Sequence, residues 1–324
     1  MSVREAAPAL GAAPQRALAT PSLVLGRRLS WRRELLIVAA IYLTYEASRG
    51  VANDAPGPAL AHGRAILRWE RSWHLAPERW LNHLFQHSVP LEVLSAYFYS
   101  TLHYVVTPAV LIWMFCRHAA RYRLARATLA LSTVLGLVGY YLLPTAPPRL
   151  LRNSGISDVL SDVSSYGWWN NHGSVPRGLG GLSNQFAAMP SLHVGWALWA
   201  GVLLWRNGRH WLTRWIGLAY PVATTAVVVG TGNHYLVDAL AGAATMVFAA
   251  TTAQAGRALM RRLRMRTEIA AALSAAPPTT SPQSKSAQPK LPRPKSRRAE
   301  SDHAGAEAEQ YPADAPAAVC RLSA

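Results

Sequence analysis

The chain has 324 residues, of which 51% are hydrophobic and only 15% charged, with a formal net charge of +17. A soluble domain carries about 25% charged residues. The low charge and its clustering therefore exclude an ordinary soluble enzyme and a largely disordered chain, and they predict a polytopic membrane protein.

Residues 1–30 are rich in Ala, Pro and Arg and contain no short apolar core with a cleavage site. They are expected to form a disordered cytoplasmic N-terminus rather than a signal peptide. Six apolar segments follow, at about 33–52, 92–116, 124–143, 190–206, 212–231 and 235–255. Each is close to the roughly 20 residues that cross a hydrocarbon core, the fourth being the shortest. Glu46 in the first segment and Asp238 in the sixth need a partner or a water-filled site. Between the first two segments, apolar residues of 62–86 recur at helical spacing among arginines, which predicts amphipathic helices in the membrane interface, broken near Pro77. The fold class is thus all-α: six transmembrane helices plus interfacial helices, forming a membrane domain over 31–256. Residues 257–324 are expected to be a basic, disordered cytoplasmic tail, rich in Pro, Ser and Lys from about 267. The two cysteines, Cys116 and Cys320, build no disulfide framework.

Arginines alternate with the segments. Arg27, Arg28, Arg32 and Arg33 precede the first; Arg117, Arg121, Arg123 and Arg126 separate the second from the third. Arg206, Arg209 and Arg214 separate the fourth from the fifth, and a run from Arg257 to Arg266 follows the sixth. The other connections carry fewer arginines, interleaved with acids such as Glu70, Glu78 and Asp158. The positive-inside rule then predicts a multi-pass cell-membrane protein with both termini cytoplasmic and connections 53–91, 144–189 and 232–234 facing outward.

Three polar clusters fall on that outward side. Tyr140–Arg149 leaves the third segment through Pro-Thr-Ala-Pro-Pro-Arg149. Asn184–His193 enters the fourth through Pro190-Ser191-Leu192-His193. Gly230–Asp238 joins the fifth and sixth through Gly-Thr231-Gly-Asn233-His234-Tyr235. His234 and Asp238 are spaced i, i+4, so on a helix they share one face, and the carboxylate can fix the imidazole tautomer. A structural His–Asp bond is the plainer reading of that pair. Pro190 and Ser191 read as a helix start whose free N–H groups favour an anion, with His193 in the first turn. Arg149, after a stiff Pro-Pro pair, suits bidentate phosphate binding, and Arg177 is a weaker candidate of that kind. Two histidines, a carboxylate, a helix N-terminus and arginines together suit phosphoryl transfer. A metal set of His193, His234 and Asp238 is an open alternative.

At these residues the chain resembles the type-2 phosphatidic acid phosphatase superfamily, and more narrowly its branch of inositol phosphorylceramide synthases. The resemblance rests on Pro190-Ser191-Leu192-His193, on His234-Tyr235-x-x-Asp238 followed by Ala-Leu-Ala-Gly242, and on the run ending at Arg149, and it covers about residues 30–256. It implies a catalytic set in which His234 is the nucleophile, Asp238 orients it and His193 is the general acid. Ser191 and Arg149 would hold phosphate oxygens, and no metal or other cofactor is expected. The chain departs from the family pattern in having no lysine before Lys285, Leu192 in place of Gly, and Val228 where an arginine is usual. Phosphate binding would then lean on Arg149, Arg177 and neutral donors such as Thr231, Asn233 and Tyr235, which favours a phosphodiester lipid.

The resulting expectation is a lipid-phosphate phosphotransferase or phosphatase in the bilayer, acting through a phosphohistidine, with water or an alcohol as acceptor and inositol-phosphate transfer as one form. The rival is a non-enzymatic lipid-binding or lipid-flipping protein on the same scaffold. No nucleic-acid partner is expected.

Overall fold

A computed structural model describes residues 30–51, 56–170, 173–176 and 185–275. Nine α-helices occur among them: α1 (Trp31–Val51), α2 (Pro56–Ser72), α3 (Glu78–Gln86), α4 (Val89–Arg117), α5 (Ala119–Leu142), the single turn α6 (Val159–Asp162), α7 (Leu192–Asn207), α8 (Trp211–Gly230) and α9 (Leu236–Ala275). A two-stranded antiparallel ribbon, β1 (Trp169–Asn170) with β2 (Gly173–Pro176), lies between α6 and α7. The chain divides into a unit ending at Ala271 and a second, Ala272–Ala324, of which only the last turn of α9 is described.

Among the described residues, four helices are long and apolar enough to cross a membrane: α4, α5, α8 and α9. These four match four of the six expected segments. α7 has 16 residues, which at 1.5 Å per residue is about 24 Å, short of a hydrocarbon core of about 30 Å. α1 carries Glu46 and Arg49 near its end, and the side chain of Glu46 lies outside the described residues.

α7 is central. It packs against α4, α5 and α8, and its backbone comes close to that of α8 at Gly201 and Gly217, the small-residue contact by which apolar helices associate. Its indoles reach across to α5: Trp199 donates to the Ala125 carbonyl at 2.9 Å and Trp196 to the Thr133 hydroxyl at 3.1 Å. α1 is tied to α5 by an ion pair between Glu34 and Arg126.

α2 and α3 form the cap of the bundle. The chain breaks between them at 73–77, as Pro77 predicts. What they turn inward differs from an amphipathic expectation based on apolar residues alone. Trp69, Trp73 and Trp80 are exposed, whereas Glu70, Glu78 and Asn82 are buried. Asn82 is fully buried and donates to Gly230 O at 2.9 Å and Ser157 O at 3.1 Å, while Ser157 N–H donates to its side-chain oxygen at 2.9 Å. This one amide ties α3 to the end of α8 and to the loop before α6.

The expected disordered tail needs correction at its start. α9 continues through 257–275 to Ala275. The segment is rich in Ala, Arg, Leu and Met, all strong helix formers, and contains no proline. Charge made it look like a tail, but helix propensity sets its structure.

α7 and α9 meet at Gly242, where an added Cβ would lie 2.1 Å from the Ser191 carbonyl oxygen. Gly242→Val is therefore expected to destabilise the protein by about 1–3 kcal/mol, the usual cost of overpacking. The readout is a lowered Tm in detergent.

Candidate active site

The three polar clusters converge through main-chain hydrogen bonds. Thr145 N–H donates to Phe186 O at 2.7 Å and Ala188 N–H to Thr145 O at 3.3 Å, which joins the first cluster to the second. Arg149 N–H donates to Gly232 O at 3.0 Å, which joins the first to the third. Ser191 N–H donates to Asp238 O at 3.0 Å, which joins the second to the third. Gly232 has φ +74°, the left-handed value that lets the chain reverse between α8 and α9. The Tyr235 hydroxyl, fully buried, donates to Ala146 O at 2.8 Å and locks the turn onto the first cluster.

His234 sits in this turn, before α9 rather than on it. The expected shared helix face with Asp238 is thus corrected, because α9 begins only at Leu236. The imidazole Nδ1 lies 2.8 Å from the Ala188 carbonyl oxygen and 3.6 Å from Asp238 Oδ2. A carbonyl oxygen only accepts, so Nδ1 carries the hydrogen and Nε2 keeps its lone pair. The group that fixes the tautomer is therefore a main-chain oxygen, with the Asp238 carboxylate beside it. Asp238 Oδ2 accepts instead from Tyr235 N–H at 3.0 Å. That is the reach-back of a third-position acid to the residue that starts a helix.

His193 lies in the first turn of α7, and its ring meets that of His234 edge to face, centroids 5.8 Å apart. It stacks on Tyr99 at 4.6 Å and meets His103 edge to face at 4.4 Å. Tyr99 and His103 come from α4 and were not singled out from sequence. Their signal was available: two polar rings, i, i+4, inside an apolar span. Ser191 starts α7, but its hydroxyl makes no capping bond. Its Oγ is buried without a hydrogen-bond partner among the described residues.

The expected phosphate donors fare unevenly. Arg149 is brought to the site, where it donates from Nε to Asn233 Oδ1 at 3.0 Å and from Nη1 to Asp158 Oδ2 at 2.8 Å. Asp158, which also caps α6 through Ser161 N–H, was not anticipated as its partner. The expectation that Thr231, Asn233 and Tyr235 offer free donors is corrected, since protein acceptors take all three. Thr231 donates to Val227 O at 2.7 Å, Asn233 to Thr231 Oγ1 at 3.0 Å, and Tyr235 to Ala146 O. Arg177 and Asn184 lie outside the described residues.

Beneath His234, the start of α9 is held by two glutamates that sequence reasoning left among the loop acids. Leu236 N–H donates to Glu78 Oε1 at 2.9 Å and Val237 N–H to Glu70 Oε1 at 2.7 Å. Both carboxyls are buried, at 0% and 1% exposure. Burial drives the Glu70 pKa up from the ordinary 4.5 to about 8, with the Glu78 carboxyl adding to the rise and the Val237 N–H opposing it.

The family model described as the PAP2 superfamily matches residues 64–253, a span that starts within α2, ends in the first half of α9 and includes every site residue named above. No curated protein and no solved structure matches the chain.

A raised carboxyl pKa sets a pH dependence. Below pH 4.5, Glu70 is protonated in both folded and unfolded chains. Between 4.5 and about 8 only the unfolded chain releases the proton, so stability falls as pH rises through that window. The expected result is a Tm in detergent that declines from pH 5 to 8, and a shallower decline in Glu70→Gln.

Proposed function

Since the chain belongs to the PAP2 superfamily, we propose that it is a membrane-embedded phosphotransferase or phosphatase of lipid phosphate esters that works through a phosphohistidine on His234. Membership of that superfamily supports a phosphate-ester enzyme, and the four apolar helices support a membrane protein. The observation that carries the mechanism is the fixed His234 ring, with Nδ1–H on the Ala188 carbonyl, the lone pair on Nε2, and His193 5.8 Å away.

In the first step Nε2 of His234 attacks phosphorus. An N–P bond forms, the P–O bond to the leaving group breaks, and His193 gives that oxygen a proton. The imidazole becomes a phosphorylated cation, and the Asp238 carboxylate at 3.6 Å offsets its charge. In the second step water or an alcohol such as inositol, a sugar or a lipid hydroxyl attacks phosphorus. His193 takes its proton, the N–P bond breaks, and His234 is restored. The Ser191 hydroxyl and the N–H groups at the start of α7 would hold phosphate oxygens. Arg149 would join them through the N–H groups that Asn233 and Asp158 leave free, two of its five being engaged.

The finer reading goes with this proposal. α1 and α7 complete six spans, both termini are cytoplasmic, and the reaction runs at the outward face of the cell membrane. A phosphodiester donor, including one for inositol-phosphate transfer, suits a site whose neutral donors are already occupied.

The test is turnover of phosphorus-labelled phosphatidylinositol and phosphatidic acid by purified protein, with and without added alcohols. His234→Ala and His193→Ala should each fall below about a hundredth of wild-type activity, as loss of one member of an acting unit does. Acid-labile label should appear on wild type and not on His234→Ala. Activity of His234→Ala above that level overturns the nucleophile assignment. Binding without turnover, from folded protein, favours the non-enzymatic rival. Asp238→Asn should lower kcat by at least about a hundredfold.

A further inference from the structure

A crevice of about 600 Å³ opens between α5, α7 and α9 at the far end of the bundle. Arg206, which lines it, is roughly 20 Å along α7 from His193, at 1.5 Å per residue. The crevice is therefore separate from the site described above. Its floor is apolar, with Trp199 and Met246 buried there, and three arginines from three helices rim it: Arg121 of α5, Arg206 of α7 and Arg257 of α9.

Among the described residues no acidic side chain lines the crevice to neutralise the three cations. Among the described residues none of the three has a carboxylate partner, whereas Arg126, just beyond it, is paired with Glu34. Their protein partners are neutral: Arg121 donates to the Asn207 side-chain oxygen, and Arg257 to the Ala120 carbonyl at 3.5 Å. Those bonds hold guanidiniums at the rim and leave their charge available. Like charges gathered over an apolar slot repel each other unless an anion joins them.

We infer that this crevice binds an anionic phospholipid outside the catalytic cycle, with its phosphate among Arg121, Arg206 and Arg257 and one acyl chain along Trp199 and Met246. Guanidiniums suit phosphate through paired N–H groups, and basic residues near a membrane surface attract anionic lipid. The volume lies within the range of small-molecule pockets. A free anion would satisfy the rim and leave the apolar floor uncovered, and a zwitterionic lipid would fill the floor and leave net charge at the rim. One occupant meets both demands.

The experiment uses the full-length protein in neutral detergent, with Tm followed during lipid titration. His234→Ala is carried in every sample, so turnover does not alter the ligand. Dioleoylphosphatidylglycerol should raise Tm saturably. Dioleoylphosphatidylcholine, with the same chains, and inorganic phosphate should not. The triple variant R121Q/R206Q/R257Q should weaken apparent affinity at least about tenfold, while R117Q/R209Q/R261Q, which removes the same charge outside the crevice, should stay within about twofold. Ala250→Phe, which narrows the slot and leaves every arginine in place, should also weaken binding. Equal losses in the two triple variants would reveal a general surface-charge effect and overturn the inference. A full shift with phosphatidylcholine or with inorganic phosphate would overturn it as well.

Discussion

The start of α9 is the constraint on which the rest of the site depends. The first N–H groups of any helix lack intrahelical partners, and leaving them bare in a buried setting costs a kilocalorie or more each. Here three successive N–H groups, of Tyr235, Leu236 and Val237, are met by three carboxyl groups, of Asp238, Glu78 and Glu70. The acids come from α9 itself, α3 and α2, so one helix terminus gathers the cap of the molecule around it. Burial away from water is the main cause of the raised Glu70 pKa, and repulsion from the neighbouring Glu78 and Asp238 carboxyls adds to it. Holding a proton at Glu70 lessens that repulsion while its other oxygen still accepts from Val237.

His234 inherits its position from this terminus. It immediately precedes the capped residues, and the turn that carries it is pinned on both sides. Tyr235 reaches Ala146, and Arg149 reaches Asn233 and, through its own N–H, Gly232. The Ala188 carbonyl then selects the tautomer from the strand of chain that leads into α7. A nucleophile aimed in this way loses little orientational freedom when a substrate arrives, which is where oriented groups gain most of their advantage. Many of the polar contacts that surround it are structural, and they matter to chemistry through that aim.

The convergence of the three clusters was legible in the sequence because each carries strong local punctuation: Pro-Pro before Arg149, Pro190-Ser191 at a helix start, and Gly-Thr-Gly-Asn before His234. The break at Pro77 was legible for the same reason. The Ala188 carbonyl was not, because a main-chain acceptor has no residue type to betray it. Glu70 and Glu78 were hidden among arginines on helices whose tryptophans drew the apolar face outward. Only the tertiary position of α9 turns their carboxyls inward. Thr231, Asn233 and Tyr235 looked like substrate donors because they neighbour the histidine. The fold uses each first, since a tight buried turn must satisfy its own polar groups.

That prior use bears on the substrate. Arg149 is the one cation among the expected phosphate ligands that the described residues bring to the site, and Asp158 already shares it. Val228 stands in the apolar core at 1% exposure, where the family pattern has a further arginine. A phosphomonoester dianion in such a place would face the carboxylates of Asp238 and Asp158 with little to offset it. A phosphodiester carries one charge and spreads it over two free oxygens. Ser191 and the N–H groups at the start of α7 could meet those two oxygens without a second cation. On the proposed chemistry, a single cation beside His234 among the described residues suits a diester, whose leaving group would depart as an alcohol protonated by His193.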